Sequence, residues 1–337
     1  MRKTASPRLA FVTALLLALT LGLGFATLCA VLGGLAWTLE LFSHFRVQFA
    51  ALALIALLTA LALRHRALIL VNVVLLAVNL LAIFPHLMSY VRTPTTVEAT
   101  GRTIRLLSLN MYGLATNNAK FQALLAAEQP DIILLTEIPS DIELRMGPLQ
   151  AAYPHRLLTG RASFHEIGLY SRWPIAALET SRSAGVGFPV VSADLCPPAS
   201  ERGACLRVAG LHATSPIGAE AALRDRQLDI AARQSASHFD PSVIIGDLNV
   251  TPWSPTFTDL LRRAKLTDTS LLRGLQPSWR SKSLVRGLAG FLSLPIDHAL
   301  VSADVAPRAN RLGPDIGSDH RPLIVDLQLP DLAQPSF

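Results

Sequence analysis

Ser242-Val243-Ile244-Ile245-Gly246-Asp247-Leu248-Asn249 is the stretch on which the reading of this chain turns. Val243, Ile244 and Ile245 are consecutive β-branched apolar residues, the pattern of a buried strand. The strand stops at Gly246, and two polar groups, Asp247 and Asn249, follow two residues apart. In an extended segment residues i and i+2 point to the same side. A carboxylate and a carboxamide could therefore aim at one point beyond the strand end. Thr251-Pro252-Trp253-Ser254-Pro255 then turns the chain away. A strand followed by an Asx-type turn fits the same residues, so the question is whether the pattern recurs.

It does recur. Ile104 to Asn110 reads as a strand ending in Asn110, and Pro130 to Glu137 as one ending in Glu137. Pro189 to Leu195 and Cys205 to Leu211 read as a hairpin whose second arm runs into His212. Ile296 to Val301 opens with Asp297-His298, and Gly317-Ser318-Asp319-His320 leads into Leu323 to Leu327. Ile167 to Ser171 is a further strand. Helices are expected at Thr116 to Gln129, Asp141 to Ala152, Glu220 to His238 and Ser254 to Ala264, and Leu284 to Pro295 reads as apolar and irregular. A buried carboxylate or imidazole is expensive unless paired. Apolar strands that repeatedly end or begin at such groups point to a shared edge, and α/β folds place their sites at convergent strand ends.

Such a set permits limited chemistry. Glu137, Asp319 and Asn110 offer hard oxygen ligands, which suit Mg²⁺, with Mn²⁺ as a substitute. No cysteine lies near these motifs and no H-E-x-x-H spacing occurs, which argues against a dedicated zinc site. G-x-S-x-G and G-x-x-x-x-G-K-[ST] are both absent, which removes the serine-hydrolase elbow and the P-loop. Metal-assisted attack of water on phosphorus is what remains.

The apolar half of the composition is unevenly spread. Leu9 to Leu39, Val47 to Leu63 and Ala67 to Val91 contain no Asp, Glu, Lys or Arg. Runs of about 17–25 apolar residues match a bilayer core, and the first far exceeds the roughly 7–15 residues of a signal-peptide core. The expected organisation is a membrane region over 1–91 with three transmembrane helices (about 9–39, 47–63 and 67–90). A linker over 92–103, a catalytic domain over 104–330 and a tail over 331–337 follow. Asn72 and Asn79, seven apart on one helical face, are expected to pack against other helices.

The net charge of +6 follows the same division. Residues 1–94 hold seven Lys/Arg and one acid, Glu40, while residues 95–337 hold 23 of each sign. The basicity therefore reports membrane topology and does not favour a nucleic-acid partner. Arg2, Lys3 and Arg8 precede the first span, and Arg64-His65-Arg66 lies between the second and third. Cationic loops stay cytoplasmic, so the N-terminus is expected inside and everything after Tyr90 outside, in a bacterial periplasm. Cys196 and Cys205 flank a short loop, where either a disulfide of an oxidising compartment or two free thiols fits.

Taken together, the first strand's terminal Asn, P-D-I-I-L-L-T-E-I, G-L-Y-S-R-W-P-I, a strand ending L-H, I-I-G-D-L-N, P-I-D-H and G-S-D-H-R-P resemble the endonuclease/exonuclease/phosphatase superfamily. That group includes deoxyribonuclease I, abasic-site endonucleases, neutral sphingomyelinases and inositol polyphosphate phosphatases. The resemblance covers about residues 103–328 in motif order. The membrane preface is similar to that of bacterial membrane-anchored members. It implies an α/β fold, a four-layer α/β sandwich of two mixed β-sheets flanked by helices. It also implies roles: Glu137 as principal metal ligand, with Asn110 and Asp319 completing or supporting the metal shell. Asp247 would orient or deprotonate the attacking water, Asn249 would bind a phosphate oxygen, and His320 would be a catalytic imidazole held by Asp297. His212 takes the position of a second histidine found in the deoxyribonuclease and sphingomyelinase branches. Glu166 is a candidate partner for His212. Many nucleases carry Asp two residues after the first Asn, where this chain has Tyr112, so one or two metals both stay open. The remaining histidines (His44, His65, His86, His155, His165 and His238) are expected in surface, capping or interface roles.

The expected function is membrane-anchored, Mg²⁺-dependent phosphodiester hydrolysis, on lipid or other envelope phosphodiesters. A periplasmic nuclease acting on DNA or RNA and a catalytically silent membrane scaffold are the alternatives. Arg262 to Arg311 is locally basic and includes the apolar run Leu284 to Leu294. That run fits either contact with anionic lipid head groups or packing inside the domain. Trp279 sits in a P-S-W-R stretch that resembles the family's substrate-side loop.

Overall fold

The computed structural model describes residues 7–88, 101–160, 166–182, 188–198, 203–236, 241–282 and 286–331. Most of the linker (92–100), the tail beyond 331, Leu284, Val285, His165 and His238 lie outside the described residues.

The apolar N-terminal region is helical: α1 (Pro7–Val31), α2 (Trp37–Ser43), α3 (Arg46–Ala62) and α4 (Arg66–Met88). By length and hydropathy α1 and α4 are long and apolar enough to cross a membrane, and α2 with α3 forms a pair bent by 59° that passes as one broken span. The first apolar run is therefore not one helix to residue 39. It ends at Val31, and a 3-10 turn at Gly33–Leu35 redirects the chain into α2. Packing within the group uses the expected polar groups. Asn72 donates to Thr20 Oγ1 at 2.9 Å and Asn79 to Thr27 Oγ1 at 2.9 Å, while Arg46 donates to Asn79 Oδ1 at 3.2 Å. In an apolar surround, such interhelical hydrogen bonds fix which faces meet.

Beyond residue 101 come β1 (Thr103–Asn110), α5 (Asn118–Glu128), β2 (Ile132–Thr136), α6 (Ile142–Met146), β3 (His155–Leu158), β4 (Ile167–Ser171), β5 (Ile175–Arg182), β6 (Pro189–Leu195) and β7 (Leu206–His212). Then follow α7 (Ala219–Ala236), β8 (Ser242–Asp247), α8 (Pro255–Ala264), β9 (Thr267–Asp268), α9 (Arg286–Phe291), β10 (Asp297–Val301), β11 (Ala306–Leu312) and β12 (Leu323–Gln328). Asn117 and Ser254 cap α5 and α8, each accepting a backbone N–H of the first turn.

Among the described residues the strands form two six-stranded sheets, ordered β11-β12-β1-β2-β4-β3 and β5-β6-β7-β8-β10-β9. Each has one parallel pair near its centre, β1 with β2 and β7 with β8, and antiparallel neighbours outside it. One face of each sheet meets the other through Ile104, Leu106, Ile132, Leu134, Val243 and Ile245. The opposite faces pack outward. Leu107, Leu109 and Ile133 lie against Phe121 and Leu125 of α5, and Leu211, Ile244 and Leu300 against α7 and α8. This is the expected four-layer sandwich. The sheets approach closely at Leu134: a Cβ on Gly210 would lie 2.4 Å from its Cδ1. Gly246 adopts φ +140°, and a Cβ there would meet Leu211 O at 2.0 Å, so only glycine serves.

Cys196 and Cys205 form a disulfide, and Cys29 is a buried free thiol. Leu284 to Pro295 is less irregular than expected, because Arg286–Phe291 forms a short helix.

The two regions are docked through polar contacts. Glu40 of α2 pairs with Arg224 of α7 at 2.6 Å. His44 Nδ1 lies 3.1 Å from Thr251 Oγ1, and Trp253 Nε1 donates to His44 O at 3.3 Å. His86 near the end of α4 lies 3.2 Å from Asp268. Gln48 of α3 donates to the carbonyls of Phe291 and Ser293. His44 and His86, for which surface, capping and interface roles were all open, stand at this interface.

Candidate active site

Strand alternation builds the site. On β1 the residues facing the second sheet include Ile104 and Leu106; on β8 they include Val243 and Ile245; on β10 they include Ala299 and Val301. Counting on by twos from these core positions reaches Asn110, Asp247 and Asp297. Leu206 and Val208 on β7 lead in the same way to His212. Parallel pairing places His212 beside Asp247, and antiparallel pairing places the start of β10, Asp297, beside the end of β8. Glu137 follows β2 directly, and His320 precedes β12, which is antiparallel to β1. Both sheets therefore deliver their polar residues to one end of the inter-sheet seam.

The geometry is tight. Asn110 Nδ2 donates to Glu137 Oε1 at 2.9 Å and to Asp247 Oδ2 at 3.1 Å. Its Oδ1 accepts the Tyr112 N–H at 3.0 Å, which fixes the amide orientation. Asn110 thus turns its nitrogen, not its oxygen, toward the carboxylates. His212 Nε2 lies 3.5 Å from Asp247 Oδ2 and 3.7 Å from Glu137 Oε1. His320 Nε2 lies 3.5 Å from the same Asp247 oxygen, and its Nδ1 bonds Asp297 Oδ2 at 2.8 Å. Asp247 is therefore flanked by two imidazoles. Asn249 Nδ2 donates to Ala213 O at 2.8 Å, and its N–H to Asp247 Oδ1 at 3.1 Å. The turn reading of the opening motif holds: the strand ends at Asp247, and an Asx turn follows with Asn249 at φ +49°. Tyr112 and Glu137 also take left-handed backbone, at φ +50° and +48°. Strain of this kind gathers where a site over-determines the backbone.

Burial opposes charge on these carboxylates. It raises Glu137 above the usual carboxylate range, offset in part by His212 and the Asn110 hydrogen bond. Burial also pushes Asp247 up to about 7, with Asp297 adding to the effect. For His320 burial works against the charged form, but Asp297 and Asp247 outweigh it and raise the imidazole to about 10.

Asp319 accepts from Trp279 Nε1 at 3.1 Å through Oδ2, while its Oδ1 is buried with no protein partner. A buried carboxylate oxygen with no protein partner, one residue before His320, fits a hard divalent cation. The closest group of ligand-type atoms among the described residues is Asp247, Asp297 and His320. Within it His320 Nδ1 is hydrogen-bonded to Asp297 at 2.8 Å, while its Nε2 stands 3.5 Å from Asp247 Oδ2.

Glu166 does not reach His212: it pairs with Arg182 at 3.2 Å and accepts from Thr159. Against His212 stands the Phe188 ring, with centroids 4.5 Å apart. His298 faces the helical layer, 2.8 Å from Val250 O, as strand alternation requires. Two serines escape a motif reading. Ser278 Oγ accepts the Asp297 N–H at 3.1 Å, and Ser318 Oγ accepts the His320 N–H at 3.0 Å while donating to Asn110 O. Their signal is position alone, next to Trp279 and Asp319.

The sequence profile of the Endonuclease/Exonuclease/phosphatase family matches residues 107–320. Among solved structures, an endonuclease/exonuclease/phosphatase from Bacteroides vulgatus superposes with TM-score 0.56 at 16% identity, over 68% of this chain and 99% of its own. One from Beutenbergia cavernae gives TM-score 0.53 at 18% identity, over 68% and 72%. The 3′ phosphatase NExo from Neisseria, bound to a product DNA hairpin, gives TM-score 0.51 at 20% identity, over 66% and 98%. No curated protein matches the chain. At these identities the structural likenesses establish the fold, and the profile establishes the kinship. The chain belongs to the endonuclease/exonuclease/phosphatase family and is a metal-dependent hydrolase acting on phosphoric ester bonds.

Proposed function

We propose that this chain is a membrane-anchored, Mg²⁺-dependent phosphodiesterase that works at the outer face of a bacterial inner membrane on lipid or other envelope phosphodiesters. The observation that carries the diesterase reading is the pair of imidazoles, His212 and His320, both 3.5 Å from Asp247 Oδ2. Glu137 and Asp319 would hold the cation, with Asn110 steadying the carboxylates. When bound, Mg²⁺ supplies a Lewis acid that polarises a phosphoryl oxygen and offsets developing charge. Asp247 orients the attacking water and takes its proton. His320, held through Nδ1 by Asp297, presents Nε2 to the same centre as a proton donor. His212 and Asn249 bind the non-reacting phosphoryl oxygens. The test is turnover of bis(p-nitrophenyl) phosphate by the full chain in detergent. Chelation should abolish hydrolysis and Mg²⁺ should restore it; turnover that survives exhaustive chelation overturns the reading.

The arrangement of the helices supports the topology. The α1–α3 connection and the end of α4 both contact the catalytic domain, whereas Arg64-His65-Arg66 lies at the other end of α3 and α4. A reporter enzyme active only in the periplasm should be active when fused after Phe337 and silent when fused after Arg66. The reverse pattern would place the catalytic domain in the cytoplasm.

Segment α9 supports a membrane-surface substrate. Leu288 and Phe291 are 45% and 41% exposed, and Gln48 of α3 holds the end of the segment. Replacing Leu288, Phe291 and Leu292 by Ser in the full chain should slow hydrolysis of a vesicle-borne lipid diester roughly 3–10-fold, in line with about 1 kcal/mol of lost interfacial contact. A water-soluble diester should be little affected. Equal loss on both substrates would show that the segment serves folding. The DNA hairpin bound by the Neisseria protein keeps a nuclease as the second reading. The even charge of residues 95–337 weighs against it.

A further inference from the structure

A cavity of about 280 Å³ lies between the α2–α3 elbow and the catalytic end of the sandwich. Its membrane-side wall is Leu41 and Phe45, its far wall Ile217 and Leu294, and it reaches Asn249 and Trp279. Its size is near the low end of small-molecule pockets, about 300–1,000 Å³.

Three features distinguish it from a packing defect. First, its walls join two regions of the chain that have different surroundings. Leu41 and Phe45 belong to the bent apolar pair, while Trp279 is hydrogen-bonded to Asp319 and Asn249 follows Asp247 in the Asx turn. Second, the elbow is pinned rather than loosely apposed: His44 meets Thr251, and Glu40 meets Arg224. Third, Ile217 remains 59% exposed at the wall, an apolar residue left uncovered where the cavity approaches solvent.

We infer that this cavity seats the hydrocarbon chain of an amphiphilic phosphodiester, whose phosphate then lies at Asn249 and His212. The inference rests on the diesterase reading above and narrows its substrate class to phosphodiesters that carry a long alkyl chain. A nucleotide fits the cavity poorly, because its lining is mainly apolar (Leu41, Phe45, Ile217, Leu294 and Ile296) and offers too few polar side chains to satisfy a sugar and a base. An alkyl chain leaves no such debt, and burying each methylene contributes about 0.8 kcal/mol.

The first arm of the test needs no turnover. A hexadecyl phosphodiester carrying a diazirine near mid-chain is photolysed with the full chain in phospholipid nanodiscs, and the adducts are mapped by mass spectrometry. Labels at Leu41, Phe45, Ile217 or Leu294 are expected, and they should be lost in Leu41→Trp, which fills the cavity. Labels confined to the lipid-facing sides of α1, α3 and α4 overturn the inference. In the second arm, hexadecyl and methyl p-nitrophenyl phosphodiesters are compared. The parent should prefer the long chain by at least tenfold in kcat/KM, and Leu41→Trp should reduce that ratio toward one. Hydrolysis of both with no chain preference overturns the inference and leaves the diesterase reading standing. Cavity labelling without hydrolysis of either supports the site and sinks the diesterase reading instead.

Discussion

His320→Ala should lower kcat on a diester by roughly 10²–10⁴ with little change in KM, the usual scale for a positioned acid–base group. The expectation follows from its place in the site. Both ring nitrogens are engaged, Nδ1 by Asp297 at 2.8 Å and Nε2 facing Asp247 at 3.5 Å. Alanine removes the proton donor and leaves two buried carboxylates with no cation between them. Glu137→Ala and Asp319→Ala should also cripple turnover, but with a different signature: added Mg²⁺ should no longer stimulate whatever activity persists. Asp297→Asn should cost less, because the carboxamide can still accept from Nδ1 and only the charge is lost. It acts through His320, so its diagnostic is the pH profile. Asp297 helps hold the imidazole up at about 10. Without it the pKa falls, and activity that needs the protonated ring disappears at lower pH on the alkaline side. Folding is checked in each variant by circular dichroism. A folded His320→Ala that turns over every substrate at the parent's rate would mean that the assigned mechanism is wrong.

What the sequence reveals follows from burial. Asn110, His212, Asp247 and Asp297 stand out in the sequence because each terminates or opens a strand that is mostly apolar, and the period of two carries the core-facing positions on to them. Edge strands offer no such signal. β5 runs Ile175 to Arg182 with mostly exposed residues, and β11 carries Pro307, Arg308, Asn310 and Arg311. Both gain their place from pairing with a neighbour rather than from a buried face. The error at Glu166 has the same origin: its partner Arg182 sits in β5, a strand with no apolar pattern to announce it. The end of the first helix was misplaced because apolar composition does not record a bend, whereas the Gly33–Leu35 turn makes one. Docking between the regions was illegible for a simpler reason. Glu40 and Arg224 are 184 residues apart, and nothing local to either marks the other. In the sequence Glu40 is marked only as the one acid among residues 1–94, yet in the structure it is buried.

Arg224→Ala should therefore be among the most destabilising single changes in the chain outside the apolar core. Arg224 is 0% exposed and bonds Glu40 Oε2 at 2.6 Å, Asp225 at 2.7 Å and Thr256 Oγ1 at 3.4 Å. Glu40's other oxygen accepts from Ser254, the N-cap of α8. Removing one partner of a buried pair leaves the other charge uncompensated and costs about 3–5 kcal/mol. At roughly 2–4 °C per kcal/mol for a domain of this size, the apparent melting temperature in detergent should fall by roughly 6–20 °C. Glu40→Gln should cost less, since a carboxamide still accepts from Ser254 and leaves Arg224 its contact with Asp225. The double variant Glu40→Gln with Arg224→Met should recover part of the loss, because no unpaired charge then stays buried. The same contacts predict an effect on the site. Glu40 and His44 hold Thr251, Trp253 and Ser254, the segment that follows Asn249. Loosening the elbow should raise KM through a misplaced Asn249 while kcat falls less, the opposite of the His320 signature. It follows that excising residues 1–94 would change the catalytic domain, not merely release it. If Arg224→Ala melts with the parent and keeps its KM, the elbow is a tether and has no part in shaping the site.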